Sequence, residues 1–421
     1  MQIFFFFIFF FKINVETKLM GLAILYEDDD IRYVNDFCNY EIKTRNVAYY
    51  TDRESAKHIH DHTRVLVVKS SDPLPDLSHK NIRHIIISSD YDTLLEKLSE
   101  EITHVIFLHY SRYDQSIDFL PQSVTHISFG HYSYFNQRIG AFPRNLIYLR
   151  FGNEFNQPIG NLPQSLRYLE LGYAFDESVD CLPPQLESLY ISGKFNKSVD
   201  HLPANLKSLM IWGAFDRALE NLPASLQVLK IGENYNRSVD NLPRSLRDLT
   251  LWGNFNHAVD RLPGSLKRLW LSAEFDHPID SLPEGLEMLS FCWRSKFNRP
   301  VDSLPPALKE IVFGWNSKFN QSLDNIPVSV SHVTLGNFYN TPVDWLSCGV
   351  RRLKFGGDFN QKVDDLPGGV CSLTFGENFQ HPLSCIPASV SLVRFNKFLT
   401  GYIYTEDIPK TVKNLLFTFD T

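Results

Sequence analysis

From about Tyr91 to Pro409 the apolar positions of this chain recur on one fixed spacing. An apolar residue followed by proline marks it, at Pro121, Pro143, Pro163, Pro183, Pro203, Pro223, Pro243, Pro263, Pro283, Pro305, Pro327, Pro367, Pro387 and Pro409. Successive gaps are 20 or 22 residues, apart from one of 40 that Ser347 halves. The unit opening at Pro163 continues through Leu166, Leu169, Leu171, Phe175, Asp176, Val179, Asp180 and Leu182 to Pro183. In general form it reads P-x-x-L-x-x-L-x-[ILF]-x-x-x-[FY]-[ND]-x-x-[VIL]-[DG]-x-[LFI].

The last two aliphatics of L-x-x-L-x-[ILF] alternate with polar residues, which is the period of a short strand with one buried face. Proline has no amide hydrogen to donate, so it marks the bend that enters the strand. One strand in every twenty residues, always after the same corner, buries its apolar face only by stacking parallel on its neighbours. The pattern predicts a mainly β parallel solenoid of about 15 coils, each of 20–22 residues. The slots extend backward through Tyr91, Leu95 and Leu98 to Ile102, Val105 and Phe107, and a vestigial turn carries Ile82, Ile85 and Ile87 after Leu77. We expect the solenoid to occupy 64–421, with Val65 to Val68 as its first strand.

Ahead of it the period disappears. Over 20–63, Ile31, Val34, Phe37, Cys38 and Ile42 recur at helical intervals after the acidic run Asp28 to Asp30, which favours a helix N-terminus. Thr51-Asp52-Arg53-Glu54 reads as a capping box opening a second short helix toward Ile59. This segment is expected to be a small helical cap. Residues 1–19 form a phenylalanine-rich leader, and Met20 is an alternative start. The apolar run Ile3 to Phe11 has no basic residue before it and is too short to span a bilayer.

Three slots repeat polar or aromatic chemistry. The aromatic slot, Phe135 and Phe155 through Phe379, is expected to stack as a packing spine. The Asn/Asp slot beside it, Asn156 and Asp176 through Asn360, is expected to bond backbone amides in the turn of its own coil. The acidic slot, Asp180 and Asp200 through Asp364, lines up carboxylates about 4.8 Å apart and is read as a turn element rather than a catalytic or calcium site.

Composition narrows the function. With 41 basic against 48 acidic residues, the chain lacks the electrostatic attraction on which nucleic-acid binding rests. Six scattered cysteines without a Cys-x-x-Cys pair read as reduced thiols of an intracellular, cytoplasmic protein. His58-Ile59-His60-Asp61-His62 clusters imidazoles, but its spacing matches no metallo-hydrolase motif and no distant ligand set accompanies it. No nucleophile, base and orienter stand together, so no enzyme, metal or cofactor is expected. Outward-facing strand slots carry the variable residues: Tyr148, Tyr168, Tyr190, Met210, Trp212, Trp252 and Trp270, with Arg150, Lys230, Arg268, Arg352, Lys354 and Arg394. Aromatic residues and arginine are the composition of protein-binding hot spots. We expect Trp212, Trp252, Trp270, Tyr190, Tyr168 and Arg268 to bind a partner. The alternatives are a structural spacer without a specific partner and, third, a metal-dependent enzyme.

The FN-x-P-[IV] element, as in Phe155-Asn156-Gln157-Pro158-Ile159 and Phe297-Asn298-Arg299-Pro300-Val301, resembles the FNIP repeat, a leucine-rich-repeat-like family of large DNA viruses and social amoebae. The compact linker from Ile159 to Leu162 resembles the viral form. The resemblance implies a protein-interaction scaffold in the cytoplasm, that of the host cell if viral. Several members carry an F-box before the array, where 20–62 stand here. That implies a Skp-type adaptor as partner and a substrate-recognition role for a host ubiquitin ligase. The leucine-proline opening and later tryptophan of an F-box are absent from this segment.

Overall fold

The structure, a computed structural model, describes residues 47–396 and 408–418. The repeated L-x-[ILF] pattern forms one short strand per coil, nineteen in a single sheet, from β1 (Val47–Tyr50) and β2 (Val65–Val68) to β18 (Leu392–Asn396) and β19 (Asn414–Thr418). Each strand pairs in parallel with the next along the chain, at matching repeat positions. Inward positions form unbroken apolar rungs, such as Leu169 beside Leu189 and Leu209. In the unit opened by Pro163, Leu166, Leu169, Leu171, Phe175, Val179 and Leu182 are all buried in one continuous core. Each such side chain contributes roughly 1.5–3 kcal/mol on burial. Ordering a coil of twenty residues costs more than six of these return, at about 1–2 kcal/mol per residue, so a coil is stable only when both of its faces are covered.

The prolines stand at the corner, as their missing amide predicts. There each leucine or valine three residues on donates its N–H to the proline carbonyl, at 3.1 Å for Leu166 and Pro163 and 2.9 Å for Val390 and Pro387. The Asn/Asp slot works differently from the expectation. Along most of the array the side-chain oxygen accepts the backbone N–H of the matching residue one coil later, rather than an amide of its own turn; at Asp276 the Arg299 side chain takes its place. The chain of bonds runs from Asn156 to Asp176 (2.9 Å), Asn196 (3.0 Å), Asp216 (3.1 Å) and onward. A coil's turn has no sheet partner for these amides, and a short side chain from the neighbouring coil supplies the acceptor.

Opposite the sheet, aromatic rings stack from Tyr91 to Phe379 with centroids 6.0–6.5 Å apart. Strands in a sheet lie only about 4.8 Å apart, so the coils fan open on the aromatic side and the sheet becomes the concave face. Across a core about 10 Å thick the mismatch gives a wedge of roughly 8° per coil.

The array is longer than expected, with nineteen strands against about 15 coils. Among the described residues Val65 to Val68 is the second strand, because Val47–Tyr50 pairs with it inside the stretch read as helical. A strand of four apolar-alternating residues with no proline ahead of it carries too little signal to separate from a helix edge. Of the helix toward Ile59, one 3-10 turn forms over Glu54–His58. Its start is held by Asp52 and Ser55, not Thr51 and Glu54: Ser55 N–H donates to Asp52 Oδ1 (2.8 Å) while Ser55 Oγ accepts the N–H of Thr51 (2.9 Å) and Asp52 (3.1 Å). The helix expected around Ile31 to Ile42 and the leader lie outside the described residues.

Two tyrosines in the aromatic stack differ in one bond. Tyr235 donates its hydroxyl to the Ser238 carbonyl at 3.0 Å, whereas the buried Tyr339 hydroxyl has no acceptor among the described residues. Tyr339→Phe should therefore be neutral or stabilise by about 1 kcal/mol, and Tyr235→Phe should destabilise by about 1 kcal/mol. Chemical denaturation of the two variants beside the parent checks the opposite signs.

Candidate functional site

The concave face is built from the strand residues that alternate with the buried leucines. Because the sheet curves inward, long side chains there crowd one another. All six of the expected partner-binding residues are half-buried, not fully exposed. Trp212, directly after β9 (Ser208–Ile211), lays its indole across Gly232 of the next coil. A Cβ at Gly232 would fall 2.1 Å from its Cε3. Over that glycine Trp212 reaches Trp252, edge to face at 6.4 Å. Trp270 stands on β12 (Arg268–Leu271), beside Thr250 of β11 (Asp248–Leu251), and Tyr190 stands on β8 (Ser188–Ile191), beside Met210. The fold thus gathers Tyr190, Met210, Trp212, Trp252 and Trp270 over five adjacent strands, with Lys230 among them. Tyr168, on β7 (Tyr168–Leu171), sits one strand beyond.

Arg268 is already engaged. Its Nε and Nη2 bind both carboxylate oxygens of Asp248 at 2.6 and 2.5 Å, and this hydrogen bonding holds its charge more firmly. A second internal pair lies on β6 (Tyr148–Arg150) and β7: the buried Arg150 places Nε 3.5 Å from Glu170 Oε2, and Tyr148 donates its hydroxyl to Glu170 Oε1 at 3.1 Å. Burial, and then Glu170, push the Tyr190 hydroxyl up to about 12. Lys230 is held below its ordinary value, chiefly by burial.

Two features escaped the sequence reading. On the concave side of β3 (His84–Ile87), β4 (His104–Phe107) and β5 (His126–Phe129), three imidazoles line up in register: His84 meets His104 edge to face at 4.6 Å, and His104 stacks on His126 at 4.3 Å. Equal position in consecutive repeats was the available signal. The other is an aromatic rim on the loops after the strands, where Tyr110 and Tyr132 stack at 4.8 Å and Tyr134, Tyr173, Trp293 and Trp315 are exposed. The 22-residue coils create most of it. In each, a buried serine (Ser111, Ser133, Ser295, Ser317) closes a turn onto the carbonyl three residues back, and the added pair of residues is pushed to the surface. The histidine segment near residue 60 shows stacked His60 and His62 rings at 5.3 Å, with Asp61 ion-paired to Lys80 at 2.9 Å. Among the described residues, no helix is long and apolar enough to cross a membrane.

Burial first, and then His126 and His84, depress His104 to about 3; burial and His84 depress His126 to about 4. These native values lie below the unfolded value of about 6.5, so the unfolded chain takes up protons first. The stability the neutral rings contribute is complete above about pH 6.5 and is lost as pH falls from there toward 4, by up to ~1.4 kcal/mol per pH unit for each ring. Amide hydrogen exchange, corrected for intrinsic rates, should therefore speed up over β3 to β5 between neutral pH and about pH 5 more than over β8 to β12. His104→Asn should shrink that difference.

A sequence profile of the FNIP Repeat matches residues 135–174, 159–194 and 297–338. No curated protein sequence matches the chain. Among solved structures, the circular LRR protein CroV588 superposes with a TM-score of 0.63 at 22% identity, over 90% of this chain and 77% of that one. YopM from Yersinia enterocolitica WA-314 superposes with a TM-score of 0.51 at 17% identity, over 88% and 84% of the two chains. At such identities the likeness is one of fold. Phe-Asn pairs recur in register in the matched segments, so FNIP repeats are found at 135–194 and 297–338, on a solenoid whose fold is similar to that of a circular LRR protein.

Proposed function

We propose that the concave sheet is a docking face for another protein, anchored by Trp212, Trp252 and Trp270 with Tyr190, Tyr168 and Arg268 around them. The observation that carries this reading is the tryptophan cluster itself. Trp212 covers a neighbouring glycine and meets Trp252, so these two rings are held in place before a partner arrives, with the half-buried Trp270 one strand on. Rigid, half-buried aromatics lose little entropy on binding and make the strongest anchors. Arg268, oriented by Asp248, presents its remaining N–H groups at the edge of the cluster. The chain has the architecture of a binding scaffold, and no catalytic role is assigned to it.

The finer reading adds recruitment. The solenoid would hold a target while residues 20–62 hold a Skp-type adaptor of a ubiquitin ligase, in the cytoplasm of the cell or of an infected host. Its support is the resemblance of the array to F-box-bearing relatives.

A photo-crosslinking residue at Met210, in cells that make the protein, should give a discrete protein adduct that the same residue at the convex Asp260 does not. Trp212→Ala/Trp252→Ala/Trp270→Ala should abolish it, each ring contributing about 2 kcal/mol, or roughly thirtyfold in affinity. Equal yields at the two positions would remove the docking face and leave the spacer reading. For recruitment, the full chain should retain a purified Skp-type adaptor and a chain starting at Val47 should not; equal retention or none would end that role.

A further inference from the structure

The corner that leads into each strand repeats one order of residues: an exposed acid, an exposed residue beside it, an aliphatic and the proline. In most coils the residue beside the acid is small or polar, as are Asn221, Asn241, Ser281 and Ser303. One coil breaks this order twice. Ser347 stands in place of its proline, and Trp345 fills the slot beside Asp344. Trp345 is 77% exposed, and Val328, directly after the proline of the preceding corner, is 66% exposed; among the described residues these are the two most exposed large apolar side chains. Neither takes part in the shared core. Carboxylates surround the indole. Asp344 is its neighbour in the chain, Asp365 holds the same slot one coil on, and Asp324 and Asp364 continue the acidic row on either side. All four are exposed. Spacing between these coils runs from about 4.8 Å at the sheet to 6.3 Å at their rings, Tyr339 and Phe359. Among the described residues no cation pairs with any of the four acids. Arg351, at the same corner, gives an Nη1–H to the Cys348 carbonyl at 3.0 Å. Phe119 holds the equivalent slot earlier in the array, but Asp118 beside it already accepts the N–H groups of Gly140 and Ala141 at 2.8 and 3.0 Å.

We infer that the outer corner around Trp345 docks a basic segment of a partner protein, with a lysine or arginine side chain over the indole and its charge against Asp344 and Asp365. The inference goes beyond the concave docking face, which plays no part in it. A cation is attracted to the face of an aromatic ring within about 6 Å of its centre, and tryptophan is the strongest such ring. Acids one residue and one coil away can then share the same cation. The aliphatic stem of a lysine or arginine rests on apolar surface, which Val328 supplies at the preceding corner. Charge decides against other occupants. The chain carries a net charge of −7, and the acids around the ring repel nucleic acid and anionic lipid headgroups while they draw a basic segment in. Elsewhere the acidic row attracts cations without an available ring to hold one, so Trp345 sets the position.

The test is fluorescence anisotropy of a labelled hexa-arginine peptide with the full chain at about 50 and about 300 mM NaCl. The expected result is binding that weakens with salt and falls about fivefold in Trp345→Ala and in Trp345→Leu, which keeps apolar bulk without the ring face. Asp344→Asn/Asp365→Asn should lower it by about fivefold or more. Phe119→Ala and the charge-matched Asp240→Asn/Asp280→Asn should each change it less than about twofold. All the replaced side chains are exposed, so each variant should fold as the parent does by circular dichroism. No binding by the parent chain, unchanged binding in either Trp345 variant, or equal losses from the two aspartate pairs would each overturn the inference. So would adsorption of the parent chain to neutral phosphatidylcholine vesicles that Trp345→Ala abolishes, because the ring would then meet lipid. The Met210 adduct reports on the concave face alone, so either reading can fail without the other.

Discussion

Every other feature of the molecule depends on apolar rungs being shared between adjacent coils at two unequal spacings. Main-chain hydrogen bonding holds the strands about 4.8 Å apart, while the rings from Tyr91 to Phe379 settle 6.0–6.5 Å apart. Two phenylalanine pairs nearer the strands take intermediate values, 5.2 Å for Phe291 and Phe313 and 5.5 Å for Phe355 and Phe375, although Phe107 and Phe129 lie 4.3 Å apart. The graded spacing is a wedge, and stacked wedges curve. Curvature in turn crowds the concave side chains, which is why the tryptophans there are half-buried and why Arg150 needs Glu170.

The same sharing governs the polar groups. A turn at a coil corner has amides that no strand can take, and the stack resolves this between coils rather than within them. Asn156, Asp176 and Asn196 each accept an N–H from the next coil, and Ser225, Ser245 and Ser265 each give their hydroxyl to a carbonyl one coil back. These bonds form only once the neighbour is in place. They therefore tie the folding of each coil to its neighbours, as the rings do.

Charge is distributed by the same geometry. An exposed acidic ridge with Asp240, Asp260 and Asp280 runs along one outer corner, while on the concave sheet Arg150 meets Glu170 and Arg268 meets Asp248. The two surfaces thus differ in charge, although the repeats have nearly the same backbone.

Periodicity alone determined the coil, the corner proline, the strand and the aromatic stack, because each is a local pattern repeated until chance is excluded. It also named the concave residues, since alternation along a strand fixes which side each one takes. It failed at Val47–Tyr50, where a single strand lacks a repeat to be compared with, and at Thr51 to Ser55, where neighbouring polar residues compete for the same amides. What only the tertiary structure decided was how neighbouring coils meet. The reach of an asparagine to the next coil, the cover of Gly232 by Trp212, the meeting of His84, His104 and His126, and the pairing of Arg268 with Asp248 all depend on spacing across the stack. That spacing is set by packing between coils, and no pattern along the chain encodes it.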